Sequence, residues 1–209
     1  MRRPWIYSIL IVVVTLYLPP LTCKLANAQT ADSDAIFVDA VNAVKNKDYV
    51  HAVKLFSSQA EANQHDAQYN LAVLLKAGKG APQDFLKSLS WAWAAHLGGI
   101  EAAEDLSDEL LDLIPEESIE AARQAVATRL RTRIDNGEKP ALMQFARFHA
   151  ELMNEADFER AYIWYSIAAA IGLEGALEAR DDTLSDVEEE KIVELQVEAG
   201  TIFAELTFE

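Results

Sequence analysis

The sequence predicts an all-α fold, an α-solenoid of antiparallel helix hairpins, and three observations carry that expectation. From Ser33 onward no segment alternates apolar and polar residues with period two, so strands have no signal. Alanine, leucine and glutamate dominate the same stretch, and apolar residues recur at helical spacing. The chain also repeats itself. Ala67 to Ala72 overlays Ala141 to Ala146 at an offset of 74, and Trp91 to Leu111 overlays Trp164 to Leu184 at an offset of 73.

Within the second overlay Trp91 falls on Trp164, Ala95 on Ala168, Gly99 on Gly172, Ala103 on Ala176 and Leu111 on Leu184; further on, Ile119 falls on Ile192. The one-residue slip lies between the first two helices, where a loop tolerates an indel. The repeating unit is thus a helical hairpin followed by a third, longer helix. Small residues such as Ala72, Ala95 and Ala103 let helices approach closely, while Trp91 and Trp164 fill the space between them. One hairpin cannot cover its own apolar face, so copies stack and share a core.

Taken in order, the chain opens with Arg2 and Arg3, an apolar run over 5–18, a break at Pro19 and Pro20, and Ala26-Asn27-Ala28. That order predicts a signal peptide over 1–28, cleaved after Ala28, and a periplasmic or secreted product. The apolar run is shorter than the roughly 20 residues a membrane-spanning helix needs. A retained anchor is the alternative, and the expected product has no stable membrane span. Cys23 follows Pro20, Leu21 and Thr22, a poor context for lipidation, and it is the chain's one cysteine. Its loss with the leader removes disulfides, thiolate metal sites and cysteine nucleophiles together. The same cleavage removes three of the 18 basic residues and none of the 34 acidic ones, taking the formal charge from −16 to −19. Such a field repels phosphate backbones and anionic headgroups, which argues against nucleic acid as a partner.

Helices are expected over 33–47, 48–63, 65–78, 84–97, 101–112, 116–135, 140–154, 157–171, 173–182 and 185–207. Pro82, Pro115 and Pro140 are each expected in the first turn of a helix, the position that tolerates proline, and glycines cluster between the helical runs. The expected organisation is a helical cap over 29–64, a repeat unit with an extra helix over 65–138, and a second unit with a C-terminal helix over 139–209.

Three segments resemble a known family. The first unit reads Asp66-Ala-Gln-Tyr-Asn-Leu-Ala, then Gly78-Lys-Gly-Ala-Pro-Gln-Asp84, then Trp91 and Gly99 with Ala102-Ala103. The second is clearest in Ala161-Tyr-Ile-Trp-Tyr-Ser-Ile-Ala-Ala-Ala-Ile-Gly172, and Lys47-Asp-Tyr-Val-His-Ala-Val resembles a tetratricopeptide turn and second helix. Together they resemble the Sel-one-like repeats, relatives of the tetratricopeptide repeats, over most of 33–207. Ala72 and Ala146 replace an expected glycine, Ala92 stands where an aromatic is common with Trp93 beside it, and the turn at 154–157 lacks both glycines.

The resemblance implies an adaptor or scaffold that binds another protein or peptide, with an inner face lined by the first helix of each unit. The residues it designates are Asp66, Tyr69, Val73 and Lys76 in the first unit, and Met143, Arg147 and Ala150 in the second. Tyr69 would offer aromatic contact, and Lys76 and Arg147 charge-assisted hydrogen bonds. Some members of the family hydrolyse β-lactams, so the alternative is a small hydrolase of cell-wall or β-lactam-like substrates. Against it, the chain has no Ser-x-x-Lys and no Gly-x-Ser-x-Gly. No cofactor is expected. His51, His65, His96 and His149 show no i, i+4 pairing, which speaks against a metal site. The acidic run 181–190 lacks the glycine and final glutamate of a calcium loop; Ser185 with Asp186 and Glu188 reads instead as a helix N-cap. Trp93 is about 200° around its helix from Trp91 and is expected to pack against the N-terminal cap, the alternative being an exposed, functional indole.

Overall fold

A computed structural model describes the backbone of residues 22–208 and the side chains of residues 33–208. The described residues form ten α-helices and no strand: α1 (Thr22–Lys45), α2 (Tyr49–Glu61), α3 (His65–Ala77), α4 (Phe85–Leu97), α5 (Ala102–Leu111), α6 (Glu116–Asp135), α7 (Pro140–Glu151), α8 (Phe158–Ala170), α9 (Ala176–Thr183) and α10 (Ile192–Glu205). Residues 1–21 of the expected leader over 1–28 lie outside the described residues. Helix α1 begins well before the expected position 33 and passes through Ala28 without a break.

Sequential helices pair, α1 with α2, α3 with α4 and α7 with α8. Helix α6 then returns onto α4, and α10 returns onto α8, so the offset of 73 in sequence is an offset in packing too. A single apolar core runs through the stack, with Phe56, Leu89, Leu110, Ile134, Leu142 and Ile167 fully buried. The alanines at the helix crossings have no exposed surface at 67, 72, 95, 103, 146, 168 and 176, as close approach requires.

Each hairpin's second helix starts on an aspartate. Asp48 accepts from the His51 N–H, Asp84 from Lys87 at 2.9 Å and Asp157 from Arg160 at 3.0 Å, which satisfies an otherwise orphaned backbone donor. Asp84 and Asp157 are repeat equivalents. Between α3 and α4 the chain needs Gly80, whose φ is 82° and whose hypothetical Cβ would lie 2.1 Å from the Tyr49 carbonyl oxygen. The loop between α7 and α8 is one residue shorter and contains no glycine.

Two expectations about helix starts are corrected. Pro82 precedes α4 by three residues and is outside it, while Pro115 and Pro140 stand at the starts of α6 and α7. Ser185 caps no helix: its hydroxyl donates to the Asp182 carbonyl at 2.9 Å, within two 3₁₀ turns over 184–186 and 189–191. Helix α10 starts only at Ile192. The short turns let the chain bend back so that α10 can lie on α8.

Candidate protein-interaction groove

The residues designated from sequence separate into two places. Tyr69, Val73 and Lys76 recur at one face of α3 and line a groove of about 530 Å³, whose opposite wall is the α5 face bearing Asp105, Leu106 and Glu109. Tyr69 is half-buried on the core, Val73 is 38% exposed, and the Lys76 ammonium pairs across the groove with Glu109. The floor is apolar and the rim carries both signs of charge. Asp66 is exposed one turn before Tyr69, at the start of α3, and is not part of the lining.

Met143, Arg147 and Ala150 lie on α7, half-buried, away from that groove. The Arg147 guanidinium is fully engaged within the chain. Nε and Nη2 donate to the Glu151 carboxylate at 2.8 and 2.9 Å, and Nη1 donates to the His96 and Leu97 carbonyls at 3.3 and 3.1 Å. It thereby closes the C-terminus of α4, whose last carbonyls have no helical partner. His96 Nε2–H donates to the same carboxylate at 3.0 Å. Burial alone would raise the Glu151 carboxyl, but the hydrogen bonds from His96 and Arg147, with their charges, outweigh it and hold the pKa at about 2.

Trp93 is buried, 3% exposed, but against a different neighbour from the one expected. It lines a cleft of about 390 Å³ with Arg123 of α6 and with Leu152 and Met153 at the end of α7, away from the N-terminal cap. Arg123 lies 5.8 Å from the indole and donates from Nε to the Leu152 carbonyl at 2.6 Å. The cleft also contains Ser107 and Glu151. Ser107 spends its hydroxyl on the Ala103 carbonyl at 2.7 Å, and a carboxylate held at about 2 is permanently ionised near neutrality. Neither residue has the poise that acid–base chemistry needs. Among the described residues no group of three or more histidine, aspartate and glutamate side chains is placed to hold a metal, and no helix is long and apolar enough to cross a membrane.

A buried polar chain that sequence reading missed joins the two units. His65 Nδ1–H donates to Gln68 Oε1 at 3.0 Å, while Gln144 Nε2 donates to His65 Nε2 at 3.2 Å. Gln68, fully buried, passes its own amide protons to the Ala60 carbonyl and Asn63 Oδ1. Arg133 donates to Gln144 Oε1 and, at 2.8 Å, to Glu138. The pattern places the His65 proton on Nδ1 and satisfies each amide. Two glutamines inside apolar helical runs were the available signal.

Fold and groove define an all-helical hairpin-repeat protein with a mixed apolar and charged cleft between the first and third helices of its first unit. No protein-family model matches the sequence, and no curated protein matches it either. Among solved structures it is similar to a protective antigen of uropathogenic Escherichia coli described as displaying an SLR fold. The identity is 17% and the TM-score 0.36; the match spans 85% of this chain and 46% of the antigen, so it covers under half of that protein's length.

Proposed function

We propose that this chain is an exported, non-catalytic adaptor that holds a segment of another protein. The observation that carries the reading is the groove between α3 and α5. Tyr69, Val73 and Leu106 offer an apolar floor, and Lys76, Asp105 and Glu109 stand along it as hydrogen-bonding charges. The Lys76–Glu109 pair is partly exposed, with side-chain exposures of 25% and 65%, so opening it to receive a partner costs little. The acidic surface favours a neutral or basic partner over nucleic acid. Export rests on the basic, apolar and small-residue order of the first 28 residues.

The test is retention of a partner from envelope extract by wild-type protein and by a Tyr69→Ala/Lys76→Ala variant, with thermal melting run on both. Retention by the wild type and its loss from a variant that still melts cooperatively supports the reading. Equal retention by both contradicts the groove, and retention of nothing specific contradicts the adaptor function. Arg147 is left intact because it closes α4.

A further inference from the structure

The repeat places the Trp93 cleft of the first unit on a second cleft, of about 360 Å³, between α8 and α10. At the offset of 73, Trp93 becomes Ser166, Ser107 becomes Arg180, and Arg123 becomes Gln196; each of these lines its own cleft. In the first unit the cleft is closed by the end of α7, which lays Leu152 and Met153 on it and gives the Leu152 carbonyl to Arg123. Among the described residues no hairpin follows α10 to do the same for the second. Phe203, on the position of the buried Leu130, is 39% exposed, covered only in part by Phe208 with ring centroids 6.2 Å apart. The Ser166 hydroxyl is buried without a hydrogen-bond partner.

The surface around the second cleft has changed in the same sense. Glu104, Glu120 and Gln124, exposed and polar in the first unit, become Leu177, Val193 and Val197, exposed to 59%, 70% and 66%. On α10 the two valines continue the stripe formed by Gln196, Gly200 and Phe203, one helical step round. An apolar stripe beside an open cleft is a poor solvent surface and a good stacking surface.

We infer that this C-terminal cleft receives the end of a helix from a partner protein, stacked as α7 stacks on the first unit. The incoming helix ends in two consecutive apolar side chains of leucine and methionine size. The space that Trp93 fills in the first unit is left by Ser166 for one of them. Gln196, now donating to the Tyr162 hydroxyl at 3.3 Å, stands where Arg123 does and takes a terminal carbonyl of that helix. The inference rests on the adaptor reading but concerns a different surface from the groove between α3 and α5.

The probe is a fluorescein-labelled, hydrocarbon-stapled helical peptide with the sequence of residues 140–154, titrated into the full chain and followed by anisotropy. Saturable binding is expected, weakened at least about tenfold by Ser166→Trp and by Val193→Glu/Val197→Gln. A peptide with glutamate in place of Leu152 and Met153 is expected not to bind. Circular dichroism confirms that each protein variant is folded; the valine pair is exposed and its replacement leaves the core intact. Absence of saturable binding to the folded wild type, or equal binding to the variants, overturns the proposal. So does self-association of the peptide-free protein that the valine substitutions abolish, since it gives the face to a second copy. Any of these results leaves partner retention at the α3–α5 groove unaffected, so the two readings fail separately.

Discussion

Gly98 lies against the imidazole of His65, so close that a Cβ on the glycine would stand 2.2 Å from the ring's Cγ. The φ of Gly98 is −84°, which any residue adopts, so space and not backbone freedom demands glycine here. The ring has no easy retreat, because Gln68 and Gln144 hold its two nitrogens. Gly98→Ala is therefore expected to cost about 2 kcal/mol and lower the melting temperature by several degrees. Adding His65→Ala should recover part of that loss, because the clash and the ring disappear together. Additive losses in the double variant would contradict the contact.

The polar chain through Gln144 gives a second expectation. Gln144→Leu keeps the approximate volume but removes the acceptor of Arg133 Nη1 and the donor to His65 Nε2, while Arg133 Nε keeps Glu138, costing about 1–3 kcal/mol. Chemical denaturation measures it, with an unchanged m-value if the fold is retained.

Acid stability should show two separable steps. Burial, opposed by Asp157 and helped by Arg160, lowers the His149 pKa to about 4, so the folded state disfavours its charged form. The unfolded chain then binds more protons between about pH 6.5 and 4, and stability is lost as the pH falls through that window. The loss from this group is up to about 3 kcal/mol, and His149→Phe, set among Phe145 and Phe148, should flatten it. Glu151 acts lower down. Its contribution is present above about pH 4.5 and lost as the pH falls towards 2, and Glu151→Gln should remove that second step. Melting temperature against pH for wild type and both variants checks the two slopes.

Trp93→Ala is expected to cost about 3–5 kcal/mol, as large as Trp91→Ala, because both indoles are buried and each lies under an arginine. Urea denaturation of the two variants makes the comparison. A near-neutral Trp93 substitution would contradict its place in the core.

Helix count, hairpin pairing and the repeat were legible in the sequence because each rests on local periodicity or on self-similarity that a packed solenoid must keep. The slip from 74 to 73 was legible as well, since a one-residue loop change moves no buried side chain. What stayed hidden depends on contacts between distant segments. Arg147 reads as a free cation on an exposed helix face, and only the end of α4, some fifty residues away in sequence, shows that it is engaged. Trp93 was expected to be buried, but its neighbour is set by the return of α6. Ser185 carries a good cap signal, yet the chain must bend before α10 can reach α8, and two 3₁₀ turns take the place of the expected first turns. Tyr69, Val73 and Lys76 were readable as one face; their facing wall on α5 was not.

Site-specific photocrosslinking tests the adaptor account most directly. A benzophenone amino acid at position 73, inside the α3–α5 groove, is compared in envelope extract with the same group at position 50, which is 70% exposed on α2 and outside the groove lining. A discrete adduct from position 73, missing from position 50 and suppressed by Tyr69→Ala/Lys76→Ala, is the predicted result. The same adducts from both positions, or none from position 73 in folded protein, would contradict it.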